Sequence, residues 1–302
     1  MILRMQNYSL KILVTGGAGQ LANALRAYQH TRFHLVAATR SDLDITQEAS
    51  IQKAISRHKP DLIVNAAAYT AVDKAEQEQD AAMRVNHLGA QNIAAACRKN
   101  RIPLIHLSTD YLFDGHSKTP YREEDTCHPL NIYGKSKWLG EQAVREQCEE
   151  HVILRVSAVF SEFGHNFLKT MLRLAAERDE LRVIADQVTC PTYAGHIAKV
   201  IYDLADKSSP WGTYHYCDTA PVSWHQFASV IIQEANRHKK LRVTKIHPVP
   251  AAEYHTPAMR PAFSVLDCHK IASDYQITQA AWMDAVKKIV PSLLSGQDKT
   301  NT

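Results

Sequence analysis

Short β-branched runs alternate with longer helical stretches along the first half of the chain, and that order restricts the fold more than any other feature. The runs are Leu10–Thr15, His34–Ala38, Asp61–Ala66, Leu104–Ser108 and Val152–Val156. Between them lie Leu21–Gln29, Thr46–Arg57, Gln79–Arg98 and Ser136–Cys148, each patterned for a helix. Thr46 stands where an N-cap would, Pro60 stops the second helix, and Pro103 marks the entry to the fourth strand. Alternating strands and helices argue for βαβ units and a parallel sheet covered on both faces. With right-handed crossovers, the expectation is an α/β fold built on a doubly wound parallel sheet.

The rhythm loosens after Phe160. Phe167–Arg178, Pro191–Ala205 and Trp224–Arg237 read as helices, Gly212–Cys217 as a strand, and Ala280–Ile289 as a last helix. Proline-rich segments interrupt at Pro248–Pro250 and Pro257–Pro261, and the polar tail Gly296–Thr302 is expected to fray. The expected organisation is a first unit over 1–160, completed by 191–218, and a smaller C-terminal α/β lobe over 161–302. Open parallel sheets bind ligands at the carboxyl ends of their strands, where such a lobe would supply substrate contacts.

Composition removes several classes of function. No apolar run approaches the ~18 residues of a membrane span. Leu10–Val14 runs straight into glycines and reads as a buried strand rather than a signal peptide. The net charge of +4 is mild, and the densest basic stretch, Arg237 to Lys245, reads as a solvated helix end. Nucleic acid would call for a wider basic stripe with interleaved aromatics. Six scattered cysteines without a C-x-x-C pair favour reduced thiols and a cytoplasmic setting. Sixteen histidines show neither H-E-x-x-H nor a His/Cys grouping, so no metal site is expected.

The first strand ends in Thr15-Gly16-Gly17-Ala18-Gly19-Gln20-Leu21-Ala22. Glycines there let the backbone turn tightly and approach a pyrophosphate, which then sits on the following helix N-terminus. Strand before, helix after and a βαβ unit around it give this loop its meaning as a dinucleotide site and the sheet its Rossmann type. The second strand ends Ala37-Ala38-Thr39-Arg40 without an acid. A carboxylate there would grip a ribose 2′-hydroxyl, whereas Arg40 suits a 2′-phosphate. NADPH is therefore the expected cofactor, with NADH as the alternative. Asp44 and Ile45 are placed to reach the adenine end, and Ala66, Ala67 and Ala68 leave room for a cofactor against the backbone.

The fourth strand runs into Ser108-Thr109-Asp110-Tyr111, and Tyr133-Gly134-Lys135-Ser136-Lys137 follows. Y-x-x-x-K puts Tyr133 and Lys137 one helical turn apart on one face. An ammonium beside a phenol would lower a pKa that is ~10 when unperturbed. Tyr133 would then exchange a proton with a reacting oxygen to which Thr109 hydrogen-bonds. Together with the glycine loop, these residues describe hydride transfer between a nicotinamide and a carbonyl.

In these residues the chain resembles the extended short-chain dehydrogenase/reductase superfamily and, within it, the dTDP-4-dehydrorhamnose reductase family. The matching stretches are Leu43–Thr46, Asn65–Glu76, Ser108–Gly115 and Pro129–Lys137, with weaker echoes at Asn166-Phe167, Pro191–Ala194 and Arg260-Pro261 with Ser264. The resemblance implies reduction of the 4-keto group of a nucleotide-diphosphate 6-deoxyhexose, giving dTDP-L-rhamnose. Tyr133 would protonate the alkoxide, Lys137 would bind the nicotinamide ribose and tune Tyr133, and Thr109 would orient the carbonyl. Gly16, Gly19, Gln20, Leu21, Thr39, Arg40, Asp44, Ile45 and Ala66 to Ala68 would hold the cofactor together with Tyr133 and Lys137. Thr109, Asp110 and Tyr111 would line the sugar pocket.

Departures from the family pattern fall in the substrate half. Ala158 stands where the family has a Trp, Thr189 where it has a Gly, and Phe263 where it has an Asn. A related deoxysugar 4-reductase is thus an alternative. So is a non-catalytic regulatory subunit similar to the methionine adenosyltransferase beta subunit. An epimerase using bound NAD is disfavoured by the missing acid at Thr39–Arg40. Some family members bridge homodimers through acidic residues and magnesium; Ala24 occupies one such position, so that metal is not expected and a homodimer is left open.

Overall fold

Six parallel strands form the central sheet. Strand β1 (Leu10–Thr15) lies between β2 (Phe33–Ala37) and β3 (Leu62–Asn65). Outward from β3 come β4 (Leu104–Thr109), β5 (His151–Val156) and an edge strand over Gly212–Tyr216. The chain steps from β1 to β2 on one side and then returns to β3 on the other. That reversal opens a crevice at the carboxyl ends of β1 and β3. The structure, a computed structural model, describes residues 9–28, 30–206 and 210–296. Gln29, at the end of the first expected helix, and the expected frayed tail beyond Gly296 lie outside the described residues.

Side-chain alternation along β1 divides the core in two. Ile12 and Val14 pack with Leu25, Ile197, Ile201 and Tyr202 on one face. Leu13 packs with Ile51, Ile63, Ile93 and Val144 on the other. Each fully buried aliphatic contributes roughly 1.5–3 kcal/mol, so two apolar faces hold helices on both sides of the sheet. A third core joins Phe160, Leu168, Met171, Phe227, Ile231 and Trp282 beneath the helices Phe167–Glu177, Trp224–His238 and Trp282–Leu294. Two parallel strands, Glu180–Ile184 and Lys245–Val249, complete this lobe. Pro248 is tolerated there because a two-stranded sheet consists of edges.

Several boundaries differ from the sequence reading. Thr46 is not an N-cap: its N–H and hydroxyl both go to Asp44, and the helix Glu48–His58 starts after Gln47. The stretch Gln79–Arg98 is not one regular helix but contains a π-helical turn, Arg84–Leu88, before the helix Gly89–Asn100. The fourth helix starts at Ile132, four residues before the expected Ser136, because Asn131 caps it through a 2.8 Å bond from the Gly134 N–H. The final helix runs through Pro291 to Leu294. The basic stretch does start at the exposed end of the Trp224–His238 helix, with Arg237 paired to Glu234 and Arg242 to Asp179. All six cysteines are free thiols. Among the described residues no helix is long and apolar enough to cross a membrane.

Candidate active site

The turn after β1 is pressed against the ends of its neighbours. Gly16 adopts φ +70°, and a Cβ there would stand 2.9 Å from the Ala67 Cα and 3.0 Å from the Ala66 carbonyl oxygen. Only glycine accepts both that conformation and that approach. The Gly17 N–H donates to the Ala38 carbonyl at 2.7 Å and the Gly19 N–H to the Gly16 carbonyl at 2.8 Å. The helix Gln20–Tyr28 begins at once, so its unsatisfied N–H groups face the crevice.

Beside this turn lies a groove of about 230 Å³ whose lining includes Gly16, Arg40, Asp44, Ile45, Ala67 and Ala68. Glycine turn, helix N-terminus and groove together fit a dinucleotide. Other expected contacts are committed elsewhere. Leu21 and Ala66 lean on the core, leaving their backbones to face a ligand. The Gln20 Oε1 accepts from the Ser161 hydroxyl at 2.8 Å and from the Asn166 Nδ2 at 2.9 Å, tying the glycine turn to the C-terminal lobe. Thr39 gives its N–H and hydroxyl to Asp42, an acid that the fold turns back onto the end of β2. Arg40 keeps 81% of its side chain exposed, its Nε 3.6 Å from the Asp44 Oδ2. Burial works against the Asp44 charge, yet the Thr46 bonds and Arg40 hold its pKa below the usual carboxylate value.

Thr109, Tyr133 and Lys137 meet at the end of β4. Thr109 is buried and its Oγ accepts the Tyr111 N–H at 3.2 Å, which starts a tight turn. Gly134 lets the Ile132–Gln147 helix touch that turn: a Cβ there would stand 2.2 Å from the Tyr111 carbonyl oxygen. The rings of Tyr111 and Tyr133 meet edge to face at 5.9 Å. Burial raises the Tyr133 pKa to about 12; the neighbouring Thr109 hydroxyl opposes this and the Asp110 charge adds to it. This corrects the sequence expectation of a lowered value. The Lys137 ammonium donates to the Leu107 carbonyl at 2.6 Å, and burial lowers its own pKa to about 8 against the pull of Glu141. Burial is the largest cause of both shifts, and neither residue is among the groups that move the other.

Asp110, expected in the sugar pocket, is 2% exposed, and its carboxylate accepts hydrogen bonds from the Ser157 and Ser264 hydroxyls. Tyr111 keeps an accessible edge. Ala158, in place of the family's Trp, takes a positive φ of 40°. Thr189 is buried beside Ser157, and Phe263 packs on the main core.

Sequence reasoning missed several supporting residues. Asn86, in the π-helical turn, holds the Tyr69 backbone through both amide atoms and donates to the Ser136 hydroxyl at 2.9 Å. Arg260 reaches from the C-terminal lobe to pair with Asp73 at 2.8 Å, while Asn131 donates to the Met259 carbonyl at 2.7 Å. Thr15 donates to Asn65 and accepts the Ala67 N–H, fixing the strand end behind the glycine turn. These partners lie 17 to 187 residues apart in sequence, so no local pattern marks them. 

Known proteins carry the same organisation. The chain is 42% identical over 287 residues to the dTDP-4-dehydrorhamnose reductase of Aggregatibacter actinomycetemcomitans, covering 92% of this chain and 98% of that one. It is 40% identical over 296 residues to the enzyme of the same name from Sinorhizobium fredii, covering 96% and 100%. The crystal structure of dTDP-4-dehydrorhamnose reductase from Bacillus anthracis in complex with NADP superposes with a TM-score of 0.87 at 34% identity, covering 93% of this chain and 98% of that one. Residues 10–295 match the family described as RmlD substrate binding domain, and the chain belongs to that family.

Proposed function

We propose that this chain is an NADPH-dependent reductase of the 4-keto group of a nucleotide-linked 6-deoxyhexose, converting dTDP-4-dehydro-L-rhamnose to dTDP-L-rhamnose. The observation that carries this reading is the convergence of Thr109, Tyr133 and Lys137 at the end of β4, on the same sheet edge as the glycine turn. Names of relatives about 40% identical along nearly the whole chain support the substrate. The NADP complex of the Bacillus anthracis protein supports the cofactor.

When bound, NADPH supplies the hydride to C4. Tyr133 gives its phenolic proton to the ketone oxygen, so that C=O becomes CH–OH, and recovers a proton from solvent. A phenol whose pKa is raised to about 12 is protonated at neutral pH, as a proton donor must be. Thr109 hydrogen-bonds the same oxygen. Lys137, charged at neutral pH, would hold the nicotinamide ribose, with Gly16, Gly19 and the helix N-terminus beside the pyrophosphate and Arg40 toward a 2′-phosphate. Six free thiols suit a reduced, cytoplasmic compartment, and that is the proposed setting.

A second reading has its own support. Ala158 removes the aromatic wall that the family's Trp would provide, which suits a different deoxysugar. Following NADPH absorbance with dTDP-, GDP- and CDP-linked 4-keto sugars decides between the two. Oxidation of NADPH with dTDP-4-dehydro-L-rhamnose, and dTDP-L-rhamnose as product, is expected. Preference for another keto sugar would select the second reading, and no turnover with any of them would point to the non-catalytic subunit.

A further inference from the structure

Four side chains from separate segments seal the ground behind Thr109. Asp110 follows β4, Ser157 follows β5, Thr189 ends a short strand over Val188–Thr189, and Ser264 belongs to the segment bonded to that strand. All four are buried. The Asp110 Oδ2 accepts from Ser264 at 2.6 Å and from Ser157 at 2.8 Å, while the Oδ1 takes the Thr109 hydroxyl at a longer 3.2 Å. Each hydroxyl carries one proton. Ser157 spends its proton on Asp110, so the 2.7 Å contact between Ser157 and Thr189 is filled by the Thr189 proton. Thr189, at the position where the family has glycine, thereby holds Ser157 in its donating orientation.

We propose that Ser264 and Ser157 are positioning residues that act on Thr109 through Asp110. By concentrating the carboxylate's hydrogen bonding on Oδ2, they leave Oδ1 a weak competitor for the Thr109 proton. Thr109 can then turn that proton toward the substrate oxygen. Without one of these donors, Asp110 draws more strongly on Thr109, and the hydroxyl is diverted from the carbonyl. The proposal rests on the reductase reading and extends it to two side chains outside the reacting group. It also makes the catalytic strand end depend on the C-terminal lobe, which supplies Ser264.

A double-mutant cycle on the full chain tests this, with Ser264→Ala made in the wild type and in Thr109→Val. Loss of a hydrogen bond to a charged group predicts a fall of about tenfold or more in kcat for Ser264→Ala, with the sugar KM within about twofold. In the Thr109→Val background, the same change is expected to alter kcat by less than about twofold, because the hydroxyl it steers is gone. Equal losses in the two backgrounds, or an undiminished kcat in Ser264→Ala, would overturn the proposal. Ser157→Ala repeats the cycle from the other donor and replaces it if Ser264→Ala fails to fold. If the wild type itself turns over no nucleotide-linked keto sugar, the reductase reading falls and the proposal with it, an outcome distinct from additivity in an active enzyme.

Discussion

Glu141 and Arg155 form a two-pronged ion pair inside the protein, with the Arg155 Nε 2.9 Å from Oε1 and a terminal nitrogen 2.8 Å from Oε2. Glu141 stands one helical turn after Lys137, and Arg145 also reaches its carboxylate. Burial would raise the Glu141 pKa, but Arg155 and Arg145 bring it down to about 2. Glu141→Gln leaves Arg155 buried without its counter-charge. Breaking such a pair costs about 3–5 kcal/mol, a loss that urea unfolding would measure. The folded pKa lies below the unfolded value, so the wild type holds this stability above pH 4.5 and loses it as pH falls toward 2. Glu141→Gln should lack that component of the acid slope; an unchanged slope would show that the pair contributes nothing.

Tyr133→Phe removes the proposed proton donor while keeping the ring against Tyr111. A fall of about 10²–10⁴ in kcat is expected, with NADPH affinity close to that of the wild type. Steady-state kinetics and a fluorescence titration check the two halves separately. Near-normal turnover would remove Tyr133 from the mechanism.

Lys137 should set the alkaline limb of the rate profile. Its folded pKa is lowered to about 8, whereas Tyr133 is raised to about 12, so the lysine loses its charge first as pH rises. Reductase activity is expected to decline through about pH 8, and Lys137→Arg to shift that decline upward because the guanidinium stays charged. A profile flat to pH 10 would assign the charge a lesser part. The same lowering makes folding stability rise with pH between about 8 and 10.5, since there the unfolded chain binds more protons.

Arg40 is the residue proposed to separate the two cofactors. Loss of one charge-assisted bond to a 2′-phosphate predicts a fall of about tenfold in kcat/KM for NADPH in Arg40→Ala, with little change for NADH. A wild-type preference for NADH would contradict the assignment.

Gly134→Ala tests how tightly the helix must sit on the strand-end turn. The added Cβ would stand 2.2 Å from the Tyr111 carbonyl oxygen, so the backbone must shift. A loss of about 1–3 kcal/mol is expected, with a kcat that falls because Tyr133 moves with the helix. Thermal unfolding alongside kcat reads both effects.

The order of strands and helices, the glycine turn and the Tyr133–Lys137 spacing were legible in the sequence because each is carried by neighbours along the chain. Backbone sterics and helical periodicity act over a few residues, so a local reading suffices. The pKa of Tyr133 was not legible: it is decided by burial between two elements, and Lys137 is not among the groups that shift it. The surroundings of Asp110 were hidden for the same reason. Ser157 and Ser264 lie 47 and 154 residues away in sequence, and only tertiary packing brings their hydroxyls to one carboxylate. The sequence by itself determined which ionisable side chains and glycines stand at the strand ends and at what spacing; the tertiary structure decided which are dry, which are charged and which partners they meet, because those depend on what is packed around them.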